Sequence, residues 1–202
     1  MGLVVVTGGA RSGKSSVAEN MADRCTGDVA VVVFGSADGD PEMAERIARH
    51  QADRPDGWTV VEAKDSVEWT ERVGQHVLLV DCLGTLLAKV MSEVAGEMGG
   101  EDQALDAELS PEYAKECERR FAALVGWLVK RMDHTVVVTN EVGDGVVPAY
   151  ASGRIFRDVL GRANRSLVER ADRAYLVVAG RLLNLLDLPT EGTWPWHEKG
   201  CD

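Results

Sequence analysis

The chain has 202 residues, 45% of them hydrophobic, and a formal net charge of −11. That length and apolar share suit one compact domain with a substantial core. The acidic balance argues against a broad nucleic-acid surface, which needs a basic face, and no run approaches the roughly 18 consecutive apolar residues of a membrane span.

Short β-branched runs alternate with longer helical patterns from the first residues onward. The strands are expected at 3–7, 29–34, 58–62, 77–81, 135–139 and 174–178, and most are near-continuous apolar runs, as in a parallel sheet buried on both faces. Between them helices are expected at 14–24, 41–52, 66–73, 83–91, 111–132 and 154–170. A further strand is expected at 182–188, turned back by Ala179-Gly180. This alternation predicts an α/β fold of the P-loop NTPase kind, a doubly wound, mostly parallel sheet flanked by helices. The stretch 97–108 is acidic and reads as an exposed loop. Residues 1–188 are expected to form a single catalytic domain, followed by an irregular tail, 189–202, that carries Trp194 and Trp196. The N-terminus has no secretory pattern, and Cys25, Cys82, Cys117 and Cys201 have no metal-ligand spacing. Reduced thiols and a cytoplasmic location are the expectation.

An acidic protein that binds a polyphosphate must concentrate positive charge locally. Gly8-Gly9-Ala10-Arg11-Ser12-Gly13-Lys14-Ser15 does so, and it matches GxxxxGK[ST] at every defined position. It follows a strand and opens a helix, which is the context the motif requires. Glycines let backbone N–H groups converge on phosphate oxygens, and the helix N-terminus adds a favourable dipole. Lys14 can reach the β- and γ-phosphates, and Ser15 can ligate Mg²⁺. The run Val77-Leu78-Leu79-Val80-Asp81 ends in a carboxylate that can hold the same ion or its water. Asp81 also precedes a helix, so capping that helix competes with the metal role.

The helix expected at 41–52 narrows the chemistry. Asp40 suits its N-cap and Pro41 its first position. Met43, Ile47 and His50 fall at i, i+4, i+7, which alone reads as a satisfied, partly buried histidine. Arg46 and Arg54 lie four residues either side of His50, with Arg49 adjacent. Arginines clamp phosphate bidentately, and their charge disfavours imidazolium. A neutral imidazole facing a clamped phosphate can attack it and form a covalent intermediate.

Six motifs in order carry a resemblance: TGGARSGKS at 7–15, EMAERIARHQADRP at 42–55, WTVVE at 58–62, LLVDCLGT at 78–85, TNEVGDGVVP at 139–148 and FRDVLGRANRSLVERAD at 156–172. The chain resembles the bifunctional adenosylcobinamide kinase/adenosylcobinamide-phosphate guanylyltransferases of cobalamin biosynthesis. The resemblance implies two reactions: phosphorylation of adenosylcobinamide by ATP or GTP, then transfer of GMP from GTP to adenosylcobinamide phosphate through a guanylyl-histidine. It places the guanylylated histidine at His50. It places nucleotide contacts at the loop from Gly8 to Ser15, at Phe34, Gly35 and Ser36, at Gln51, Ala52, Asp53 and Arg54, and at Glu62 and Asp81. It implies Mg²⁺ as cofactor and a homo-oligomer, a trimer in similar proteins.

The chain departs from the family in three places. Phe34-Gly35 stands where similar proteins often read Ala-Thr, which points to a backbone-mediated contact, Asp81 stands where Glu is common, and the tail after Leu188 is longer than the resemblance leads one to expect. On the residues alone two other readings stay open. One is a monofunctional P-loop kinase of a small metabolite with a structural His50. The other is a nucleotide switch, although the base-reading N/T-K-x-D of switch GTPases is absent. Asn140 and Glu141 can orient a nucleotide or a hydroxyl, with turn chemistry as the competing reading. Arg154, Arg157 and Asn164 line a helix and can contact substrate or a neighbouring subunit, with a solvated charged face as the favoured reading for each.

Overall fold

The computed structural model describes residues 2–34, 55, 57–74, 76–99 and 109–190. In chain order these form β1 (Leu3–Gly8), α1 (Lys14–Asp23), β2 (Val29–Val33), β3 (Thr59–Glu62), α2 (Trp69–Arg72), β4 (Val77–Asp81), α3 (Leu83–Glu97), α4 (Pro111–Lys130), β5 (Thr135–Val138), α5 (Ala151–Val168), β6 (Arg173–Val178) and β7 (Arg181–Asn184), closed by a 3₁₀ turn at Leu185–Asp187. The strands make one sheet in the order β3-β2-β4-β5-β1-β6-β7. All neighbours are parallel except β6 and β7. β5 therefore runs between β4 and β1, and the register sets Asp81, Val138 and Val6 level with one another.

The two-residue period of the strands sorts the apolar side chains between two cores. Leu3, Val5, Leu78, Val80 and Val137 face the layer of α3, α4 and α5. Val6, Val31, Leu79, Val136 and Val138 face the other way, against Ala18 and Ala22 of α1. These two alanines let α1 lie close to the sheet behind the loop it follows. Trp69, fully buried, anchors the first core. Its indole N–H donates to the Ser66 carbonyl at 2.8 Å, and its ring meets Phe34 and Trp127 edge-on at 5.6 and 5.2 Å.

Several elements differ from their expected extents: α5 runs Ala151–Val168 instead of 154–170 and α4 ends at Lys130 instead of 132, and three further differences have a visible cause. α3 runs past Met91 to Glu97 because Val90, Met91 and Val94 continue its buried stripe. Glu97 is thus helical, Met98 and Gly99 form a turn after it, and the rest of the expected loop, 100–108, lies outside the described residues. α2 is a single turn. Its expected start is taken by Asp65, whose carboxylate accepts from the Val67 and Glu68 N–H groups at 2.8 and 2.7 Å. The last strand ends at Asn184 rather than reaching 188, because the Asn184 side chain accepts from Leu186 N and starts the 3₁₀ turn. The hairpin before it is made by Ala179 and Gly180 at φ 48° and 74°, the left-handed pair that suits a tight two-residue connection.

Candidate active site

The loop after β1 turns through Arg11 at φ 55° and Gly13 at φ 96°, and α1 starts directly at Lys14. Gly8 lies where the chain leaves the sheet beside β6. A Cβ there would sit 2.6 Å from the Val177 carbonyl oxygen and 2.7 Å from Ser12 Oγ, so only glycine fits. The loop is tied from three sides. Glu141 N donates to Gly8 O at 3.1 Å and Gly180 N to Ser12 O at 2.9 Å. From within, Lys14 Nζ donates to Gly9 O at 3.1 Å. Lys14 is only 6% exposed, so its ammonium is drawn across the loop rather than into solvent. Gly9, Ala10 and Arg11 are exposed. Ser12 Oγ is buried and finds no hydrogen-bond partner among the described residues. A buried ammonium with one carbonyl partner, an orphaned hydroxyl and a helix N-terminus form a cradle for an anion.

Asp81 ends β4 two strands away from β1, and Ser15 Oγ donates to its Oδ1 at 3.3 Å. The competing role for Asp81 does not hold: the N-cap of α3 is Cys82, whose N–H donates to Thr85 Oγ1 at 3.3 Å. A hydroxyl and a carboxylate held together beside a phosphate cradle fit Mg²⁺, which takes one or two protein oxygens and completes its shell with phosphate oxygens and water. Among the described residues no cluster of three or more His, Cys, Asp or Glu is placed to hold a metal.

Between these two features the chain leaves β5 through Thr139, Asn140 and Glu141. The Glu141 carboxylate accepts from Gly143 N at 3.3 Å, which is turn chemistry. Asn140 is held differently: Cys82 Sγ donates to its Oδ1 at 3.2 Å. Asn164, on α5, is 7% exposed and is not part of a solvated face. It accepts from Thr139 Oγ1 at 2.6 Å and donates from Nδ2 to Asn140 O at 3.0 Å. Arg154 and Arg157 do lie at the surface. Arg154 donates to the Pro148 and Ala149 carbonyls, and Arg157 pairs with Asp158.

The other expected contacts fall elsewhere on the same carboxyl edge. Phe34 follows β2, but its ring is buried against Trp69, which leaves only its backbone for a ligand. Glu62 ends β3, four strands from β1, so about 19 Å of sheet separates it from the loop at the usual strand spacing. Gly35, Ser36, His50, Gln51, Ala52, Asp53 and Arg54 lie outside the described residues. A groove of about 270 Å³ between α4 and α5, floored by Phe121, Val125 and Val159, shares no residue with this edge.

The model of the family described as "Cobinamide kinase / cobinamide phosphate guanyltransferase" matches residues 4–185. This chain belongs to that family. Among curated relatives, the "Bifunctional adenosylcobalamin biosynthesis protein CobU" of Escherichia coli (strain K12) is 34% identical over 183 residues, which is 88% of this chain and 96% of that protein. The CobU protein of Salmonella typhimurium is 34% identical with the same coverage. The corresponding CobP protein of Pseudomonas aeruginosa is 34% identical over 93% of this chain and 96% of its own. Among solved structures, a prototypical ATPase from the type III secretion system of pathogenic bacteria superposes with a TM-score of 0.51 at 11% identity, covering 95% of this chain and 59% of that one. That likeness concerns the fold alone. The matched span of the cobinamide kinase family includes the loop, Asp81, Asn140 and Asn164, and the segment with His50. Cys82 and Gly84 are the residues the sequence reading passed over as parts of the site, and Asn164, favoured there as part of a solvated face, is buried against Thr139 and Asn140. The signal was the glycine of LLVDCLGT, whose missing side chain makes room for Asn140.

Proposed function

We propose that this chain, as a cobinamide kinase / cobinamide phosphate guanyltransferase, carries out two successive transfers on adenosylcobinamide. In the first, the terminal phosphoryl group of ATP or GTP passes to a hydroxyl of adenosylcobinamide. The bond between the γ-phosphorus and the β-phosphate oxygen breaks, the hydroxyl oxygen bonds to phosphorus, and its proton is released. Lys14 and the loop N–H groups from Gly9 to Ser15 bind the phosphates and orient them. Catalysis of this kind rests on positioning and charge stabilisation rather than on covalent help from the protein. Ser15 and Asp81 would hold Mg²⁺, which neutralises charge on the phosphates when bound.

In the second transfer, an imidazole nitrogen of His50 attacks the α-phosphorus of GTP and pyrophosphate leaves. Adenosylcobinamide phosphate then takes the GMP from His50, giving adenosyl-GDP-cobinamide and restoring the histidine. Arg46, Arg49 and Arg54 would clamp the phosphates there, with Phe34, Gly35, Ser36, Gln51, Ala52, Asp53 and Glu62 forming the rest of the nucleotide contact. The observation that carries the reading is the family match over residues 4–185, together with a phosphate loop whose lysine is already folded across it. No helix among the described residues is long and apolar enough to cross a membrane.

The test is product analysis. Purified protein with adenosylcobinamide, ATP, GTP and Mg²⁺ should yield adenosylcobinamide phosphate first and adenosyl-GDP-cobinamide second. Formation of the phosphate alone, with GTP present in excess, would support a monofunctional kinase instead.

A further inference from the structure

Asn140 is placed by three independent features. Two residues before it, Val138 is level with Asp81 on one side and Val6 on the other. One residue after it, Glu141 N is bonded to Gly8, the first glycine of the phosphate loop. Its own side chain is bonded to Cys82, the neighbour of Asp81. Asn140 therefore sits between the cradle and the carboxylate end of β4.

The orientation of its amide follows from its surroundings. The oxygen accepts the Cys82 thiol proton at 3.2 Å and lies against the first turn of α3, where a Cβ on Gly84 would come within 2.6 Å of it. The positive end of a helix favours an oxygen there over an NH₂ group. The NH₂ group then lies on the opposite side of the amide, and it donates to nothing among the described residues. The main chain beneath is fixed as well, by the buried pair Thr139 and Asn164. A buried polar network costs stability unless every member is bonded, and this one spends its bonds on holding a single residue in place.

We infer that Asn140 is a further catalytic residue of the phosphoryl-transfer step, its Nδ2 donating a hydrogen bond to the terminal phosphate of the bound nucleoside triphosphate. Asn164, Thr139 and Cys82 are its positioning residues. The inference rests on the kinase half of the function proposed above. Asn140 exchanges no proton. It holds the charge on the non-bridging oxygens while the phosphoryl group moves from the β-phosphate oxygen to the acceptor hydroxyl, as a preorganised donor does.

The experiment compares binding of the Mg²⁺ complexes of ADP and of the imido analogue of ATP, and turnover with adenosylcobinamide, in wild type, Asn140→Ala and Gly84→Ala. Loss of a hydrogen bond to a charged group should weaken the triphosphate analogue by about tenfold to a hundredfold in Asn140→Ala. ADP affinity should stay within about twofold, and kcat should fall by about 10²–10³. Gly84→Ala keeps the amide but displaces it, so it should lose a smaller part of the same preference, about threefold or more. Equal affinity changes for ADP and the triphosphate analogue in Asn140→Ala overturn the inference. If Asn140→Ala does not fold, an unchanged preference in Gly84→Ala overturns it. A wild type that binds the analogue yet never phosphorylates adenosylcobinamide removes the kinase reading while the binding comparison still decides the contact.

Discussion

Lys14→Met takes an ammonium out of the phosphate loop and leaves most of its aliphatic stem. In the folded chain Lys14 is 6% exposed, and its ammonium donates to Gly9 O at 3.1 Å. Burial of an ammonium costs several kcal/mol, while a hydrogen bond from a charged donor returns about 1.5–3 kcal/mol. Gly9 is exposed, so water can replace the lost donor. The balance for folding should lie between unchanged and about 2 kcal/mol more stable, and for a chain of this size each 1 kcal/mol moves Tm by about 2–4 °C. Function should move the opposite way, because one charge-assisted donor at a transferring phosphate is worth about 10²–10³ in rate. Calorimetry of the nucleotide-free protein and an ADP-release assay read the two effects separately. A fall in Tm of more than about 4 °C would show that Lys14 is a structural residue. Turnover within about tenfold of wild type would refute its place on the phosphates.

Asp81→Asn keeps an oxygen acceptor for Ser15 and removes the charge, so metal-free nucleotide binding should hold within a few-fold while Mg²⁺-dependent turnover falls by at least about a hundredfold; loss of thermal stability alone would return Asp81 to a structural role. The ion-pair cluster joining α3 to α4 should titrate. Glu116 is held down to about 2, chiefly by its hydrogen bond from Arg119 and then by Arg120, and Arg120 also bonds Glu97, whose carboxyl it lowers. A depressed carboxylate contributes stability above its ordinary value of 4.5 and loses it as pH falls from there toward 2. Thermal melts of wild type and Arg120→Met should therefore differ most near neutral pH and converge through that window; a difference that grows with acid would reverse the sign.

Different parts of this molecule were legible in the sequence to different degrees. The phosphate loop was readable because its glycines encode backbone geometry, and the observed φ values at Arg11 and Gly13 lie inside the motif that announced them. The strands were readable because apolar runs buried on both faces leave little ambiguity. The length of α3 was not, since Ser92-Glu93-Val94-Ala95-Gly96-Glu97 carries only one large apolar residue, and what extends the helix is the burial of Val94 against other elements. α2 was overestimated for a local reason, the Asp65 turn that competes with the helix start. Asn164 was misread because a polar residue on an amphipathic helix looks solvent-facing until its partners Thr139 and Asn140, 25 and 24 positions away, are known. The same long-range dependence hid Gly84, whose missing side chain matters only because Asn140 lies against it. The packing of Phe34 against Trp69 is likewise a long-range contact that no local pattern announces.

The kinase half of the proposed function draws on the described loop, whereas the guanylyl half rests on His50, outside the described residues. Incubation of the purified protein with GTP labelled in the α-phosphate, followed by mass mapping of the labelled peptide, tests that half directly. Acid-labile GMP should appear on His50, in the peptide that also holds Arg46 and Arg49 when these are left uncleaved. His50→Asn should abolish the label, since an amide is not a comparable nucleophile, and should still phosphorylate adenosylcobinamide from ATP. Wild-type labelling in His50→Asn, or GMP mapped to any other residue, would contradict the assignment and leave His50 as a structural histidine of a phosphate-loop kinase.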